Sequence, residues 1–274
     1  MARKLGILAG SGTLPRRLAE LCRQDGQEVF LLAFEGQTDP QTVEGLEHAW
    51  IRLGAAAEGV RRLKEAGVGR LVMAGPIKRP SLGALRPDWR TAKWIAKVGS
   101  RALGDDGLLR SIIGELESEG FEVVGLDQLF DHFLAQAKTY GRHVPDSDAQ
   151  RDIERGLAVA RALGSADVGQ AVIVQQGIVL ALEAIEGTDA MVARAGDLRR
   201  EGPGGVLVKL KKPGQERRAD LPTIGVQTVR GAAAAGLRGI AVEAGQTLVI
   251  DAEAVTAAAD EAGMFLVGLA LESQ

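Results

Sequence analysis

Residues 211–229, KKPGQERRADLPTIGVQTV, set one carboxylate, Asp220, behind Lys211, Lys212, Arg217 and Arg218. Cations at that density receive an anion such as a phosphate. Hydrolysing the phosphate also takes an acceptor that positions water or holds a metal ion, and Asp220 is placed to be that acceptor. A plainer reading stays open, in which Asp220 caps a helix that has Pro222 early in its first turn. Just upstream, Lys209 interrupts the apolar run VLVKL, so one face of that strand points toward polar surroundings. Lys209, Lys212 and Thr223 are the candidate phosphate contacts of this stretch.

Four other stretches carry oxygen or backbone groups suited to the same chemistry. LEAIEGTDAM (182–191) ends a strand and turns through Gly187, clustering Glu186, Thr188 and Asp189. That junction suits a substrate hydroxyl, a phosphate or Mg²⁺, and equally a helix whose cap is Thr188. GDDGLLR places Asp105 and Asp106 before a helix, as a metal ligand or as acids favoured by the helix dipole. AGSGTLP (9–15) follows a strand and opens a helix, so Gly10, Ser11 and Gly12 can approach an anion closely. Pro15 stands where a dinucleotide fingerprint has its third glycine, although Glu35 ends the second strand where a ribose-binding acid would sit. AGPIKRP (74–80) ends another strand, and Gly75, Lys78 and Arg79 are expected at the same crevice as Gly10.

The elements that hold these residues alternate. Strands are expected at 4–10, 28–34, 70–75 and 121–125, with amphipathic helices at 13–26, 58–67 and 107–120 between them. Thr13 is the expected cap of the first helix. Such alternation predicts a doubly wound, Rossmann-like parallel sheet over 1–132. Residues 133–147 lose periodicity and read as a linker. The rest, 148–274, reads as a mixed α/β domain with more antiparallel character. It is expected to hold a helix at 148–164, two strands about a Gln-Gly turn at 170–184, a hairpin at 239–250, a helix at 251–263 and a last strand. A ligand cleft is expected between the two domains.

Composition narrows the chemistry. A net charge of −3 over 274 residues provides no global basic field for nucleic acid. The three histidines and single cysteine, Cys22, argue against a zinc site and for a reducing compartment. A metal would be a hard cation on oxygen ligands, Mg²⁺ first. No run reaches the roughly 18 apolar residues of a spanning helix. Trp89 and Trp94 flank Arg90 and Lys93, a pattern of core packing or of a basic, aromatic surface lying on lipid headgroups.

GILAGSGTLP, AGPIKRP, GDDGLLR, EGTDAM and KKPGQERRADLPTIGVQTV, in this order, resemble the LpxI-type UDP-2,3-diacylglucosamine diphosphatases of lipid A synthesis. The resemblance implies hydrolysis of the substrate's pyrophosphate with Mg²⁺, giving 2,3-diacylglucosamine 1-phosphate (lipid X) and UMP, with water attacking the phosphorus nearer the sugar. It places the essential acid on Asp220, and Asp189, Glu186 and Asp105 are the further candidates to hold Mg²⁺. It implies that Lys209, Lys212 and Arg79 neutralise charge on the diphosphate. It implies a cytoplasmic enzyme that meets its substrate peripherally at the inner membrane of a Gram-negative-type bacterium, touches no nucleic acid and is compatible with a homodimer. Two readings compete with it: a NAD(P)-dependent oxidoreductase built on Gly10, Gly12 and Glu35, and a non-catalytic phospholipid-binding protein.

Overall fold

The structure is a computed structural model that describes residues 3–78, 87–89, 91–93 and 105–271. The chain folds as two compact units, Met1–Leu129 with Glu216–Asp220, and Phe130–Gln215 with Leu221–Gln274.

The first unit starts with β1 (Lys4–Ala9), α1 (Leu14–Gln24), β2 (Val29–Phe34), the single turn α2 (Pro40–Val43), β3 (His48–Ile51) and α3 (Ala56–Glu65). It continues with β4 (Val68–Ala74), α4 (Asp105–Ser118), β5 (Glu122–Val123) and the turn α5 (Leu126–Leu129). The strands form one parallel sheet in the order β3-β2-β1-β4-β5. The chain runs outward from β1 to β3, then crosses back to the other side of β1. The reversal falls between β1 and β4, the switch point at which such sheets take their ligands. β2 is buried along its whole length, as a strand covered on both faces must be. Pro15, Leu18, Ala19 and Cys22 bury the inner face of α1 at helical spacing. Thr13 stands at its N-cap but makes no side-chain cap bond. Edge strand β3, HAWI, escaped the sequence reading because three of its four residues are not buried.

The second unit contains β6 (Thr139–Tyr140), α6 (Ser147–Ser165), β7 (Ala171–Gln175), β8 (Ile178–Leu182), α7 (Thr188–Gly196) and β9 (Val206–Lys209). These are followed by β10 (Thr223–Ile224), α8 (Val226–Ala234), β11 (Gly239–Glu243), β12 (Leu248–Val249), α9 (Ala252–Glu261) and β13 (Phe265–Leu269). A six-stranded sheet runs β6-β13-β11-β9-β7-β8, parallel at β9-β11-β13 and antiparallel at β6, β7 and β8. The Gln-Gly turn is as expected, with φ of 55° at Gln176 and 75° at Gly177.

Two expectations are corrected. Residues 239–250 form no hairpin: β11 joins the large sheet in parallel, while β12 leaves it to pair in parallel with β10. An apolar run interrupted by Ala-Gly-Gln reads the same for both arrangements, and only the distant partners differ. The stretch 133–147 folds with the second unit. Its β6 pairs with β13, and the buried Tyr140 ring lies in the core with its hydroxyl accepting the Gln136 N–H at 2.8 Å. A two-residue strand leaves too little periodicity to be read from sequence.

Candidate active site

At the switch point three loops are tied together. The Gly10 N–H donates to the Ala74 carbonyl at 2.8 Å, and the Ser11 N–H and hydroxyl both donate to the Pro76 carbonyl, at 2.9 and 3.0 Å. A Cβ on Gly10 would lie 2.3 Å from the Gly75 oxygen, and one on Gly75, whose φ is +84°, 2.4 Å from the Ser11 oxygen. Only glycine permits this approach. The turn after β2 closes the third side, with Gln37 exchanging hydrogen bonds with the Lys78 backbone at 2.9 and 3.3 Å. The Thr38 hydroxyl donates to the Ala9 carbonyl and accepts the Phe34 N–H.

Gly10, Ser11, Gly75 and Lys78 therefore do meet, as their positions implied. Their N–H groups nevertheless serve the loops themselves: those of Gly10 and Ser11 are occupied, and Pro15 in the first turn of α1 has none to offer. Buried Thr38 covers the end of β1, where a dinucleotide's pyrophosphate would pass. Glu35 stands exposed at the end of β2, but this packing does not favour the nicotinamide reading. Gln37 and Thr38 were not singled out from sequence, since neither belongs to a glycine pattern. Arg79 and Trp94 lie outside the described residues. Trp89, 73% exposed, does not pack in a core.

Asp220 sits at the end of a turn in which the N–H groups of Ala219 and Asp220 both donate to the Glu216 carbonyl, at 3.1 and 3.0 Å. The alternative in which Asp220 caps a helix fails: α8 starts at Val226 with Gly225 as its N-cap, and Pro222 precedes β10 in non-helical chain. The two neighbouring arginines hold this turn in place. Arg217 Nε donates to Asp127 Oδ2 at 2.8 Å, and Arg218 reaches both Glu216 (3.0 Å) and Glu117 (2.6 Å). Ala219 packs on the apolar core of the first unit. The Arg218 guanidinium pulls the Glu216 carboxyl below its usual range, and Glu216 in turn raises the arginine. The basic run read as an anion receptor thus acts in part as an anchor. Lys212 likewise pairs with Asp167 at 2.7 Å.

In the second unit Lys209 ends the central strand β9 and is only 6% exposed. Its ammonium donates to Thr188 Oγ1 at 3.0 Å and to the Thr223 carbonyl at 3.2 Å. The Thr188 hydroxyl donates to Glu183 Oε1 at 2.6 Å. Three candidates, Thr188, Lys209 and Thr223, are therefore joined, and Thr188 serves this link while Gly187 takes the N-cap of α7. Glu183, also 6% exposed, received no role from sequence, because an acid at a strand end looks like any solvated charge.

The other carboxylates expected to hold Mg²⁺ have individual surroundings. Glu186 is bound by Arg194 at 2.8 Å, which lowers its pKa, and Asp189 is exposed. Asp105 is the first residue of α4, and its side chain lies outside what the structure describes. Among the described residues no group of three or more His, Cys, Asp or Glu side chains could hold a metal ion. One carboxylate with water and diphosphate oxygens is still an adequate donor set for Mg²⁺, which rarely takes more from the protein.

Models of the LpxI N-terminal and C-terminal domains match residues 4–133 and 136–267. A curated protein of Caulobacter vibrioides, named UDP-2,3-diacylglucosamine pyrophosphatase LpxI, is 41% identical over 274 residues. That alignment covers 97% of this chain and 98% of the relative.

Proposed function

The chain belongs to the LpxI family, and we propose that it hydrolyses the pyrophosphate bond of UDP-2,3-diacylglucosamine, a step of lipid A synthesis. The carrying observation is the end-to-end likeness to a relative named for that activity, at 41% identity over 97% of the chain. The products are 2,3-diacylglucosamine 1-phosphate (lipid X) and UMP, with water attacking the phosphorus nearer the sugar.

Asp220 is the catalytic carboxylate of this reading. Its carboxylate accepts a proton from water or orients it, the role for which an acid beside a diphosphate is needed. The diphosphate contacts of this reading are Lys209, Lys212, Thr188 and Thr223 from the second unit and Lys78, Arg79 and the Gly10–Gly12 turn from the first. When bound, Mg²⁺ supplies charge neutralisation on the diphosphate, held by Asp220 together with substrate oxygens. A diacylated substrate brings the enzyme to the inner-membrane surface. The engagement proposed is peripheral and on the cytoplasmic side; no helix of the described residues is long and apolar enough to cross a membrane.

Isotope tracing tests the reaction. Turnover in ¹⁸O-water with Mg²⁺ present places the label in the lipid X phosphate and leaves UMP unlabelled. Label in UMP overturns the direction of attack, and absence of turnover overturns the hydrolase reading.

A further inference from the structure

The Asp220 turn, Glu216–Asp220, is flanked on both sides by residues of the second unit, Gln215 and Leu221. Both flanks lead back to one buried side chain. On the downstream side, Glu183 Oε1 accepts the Thr188 hydroxyl proton at 2.6 Å, Thr188 Oγ1 accepts from Lys209 Nζ at 3.0 Å, and Lys209 donates to the Thr223 carbonyl at 3.2 Å. On the upstream side, Glu183 Oε2 accepts the Gln170 N–H at 3.1 Å. The Gln170 side chain accepts from Gln215 Nε2 at 3.3 Å, and Gln215 Oε1 accepts the Lys212 N–H at 2.9 Å. Gln215 is itself 4% exposed.

Resting on the hydrolase reading, we propose that Glu183 is a positioning residue for the reaction: it fixes both ends of the segment that presents Asp220. Chemistry supports a role beyond packing. A carboxylate removed from water is costly unless each oxygen has a donor, and here each has one, leading to a different flank. The buried Lys209 ammonium stands one hydroxyl away from the Glu183 carboxylate, so the two buried charges are of opposite sign and linked. Directing the Thr188 proton toward Glu183 leaves Thr188 Oγ1 only its acceptor side for Lys209, which sets the polarity of the whole link. Strand and helix carry the parts: Glu183 follows β8, Thr188 opens α7 and Lys209 closes β9.

A positioning role predicts loss of turnover with ordinary substrate binding. Glu183→Ala lowers kcat at least about 10-fold with KM within about threefold of the unmodified enzyme, since a misplaced catalytic group costs up to about 10²-fold. Glu183→Gln, isosteric and still able to accept the Thr188 proton, recovers part of that loss. Asp152→Asn is the control. Asp152 is an equally buried carboxylate of the same unit, and its two oxygens accept from Gln176 and Gly177 at the hairpin turn. That variant lowers stability and leaves kcat in place. An active enzyme whose Glu183→Ala form keeps kcat within about twofold, or raises KM alone, overturns the positioning role. An equal loss of kcat in Asp152→Asn overturns it too. Should Glu183→Ala fail to fold, Glu183→Gln decides: kcat equal to the unmodified enzyme contradicts the proposal. An unmodified protein without activity overturns the hydrolase reading on which it rests.

Discussion

Asp220 owes its place to its neighbours' charges. Arg217 and Arg218 looked from their types like receptors for a diphosphate, and the structure shows them holding Asp127, Glu117 and Glu216. Sequence states that cations and acids are present. Which acid each arginine meets depends on residues about 90 to 100 positions away, and no local pattern encodes that. The Arg217–Asp127 pair is partly exposed and contributes at most about 1 kcal/mol to stability. Its greater effect should be on geometry: Asp127→Ala is expected to lower kcat about 10-fold while the thermal midpoint moves little, measured by steady-state kinetics and calorimetry. Glu216 gives a pH prediction. Its folded pKa lies below the ordinary 4.5, so its contribution to stability is present above that value and is lost as pH falls through the lowered one. Thermal midpoints followed from neutral to acid pH should decline less steeply for Glu216→Gln than for the unmodified protein.

At the scale of elements, periodicity told most of what it could. Helix α1 and strands β1, β2 and β4 stand where apolar spacing put them, because each is long enough to repeat its pattern. The two-residue strands β5, β6, β10 and β12 repeat nothing, so β6 hid in an expected linker and β12 in an expected hairpin. The glycines at the switch point were legible as close approaches, but not as approaches of one loop to another. Gly75→Ala tests that packing. With φ of +84° and a Cβ placed 2.4 Å from the Ser11 oxygen, it should cost at least about 2 kcal/mol by chemical denaturation. The inner face of α1 offers a second check. Burial pushes the Cys22 thiol up to about 11, so a thiol reagent should label it slowly in the native protein and quickly after denaturation.

Taken as a whole molecule, the chain makes two α/β units and spends five residues, Glu216–Asp220, on the first from within the stretch that builds the second. Alternating strands and helices revealed the two units, and the ordered motifs revealed the family. The return of the Asp220 turn was not legible, because it rests on Ala219 in an apolar core and on ion pairs with remote acids. That routing accounts for two of the neighbouring cations: Arg217 and Arg218 dock the turn that ends in Asp220, the residue proposed above to serve water. The most direct measurement is the turnover of Asp220→Asn on UDP-2,3-diacylglucosamine with Mg²⁺, beside the unmodified enzyme. The account predicts a folded protein that still binds lipid X and whose kcat has fallen about 10²- to 10⁴-fold. A folded Asp220→Asn protein with near-normal kcat would contradict it.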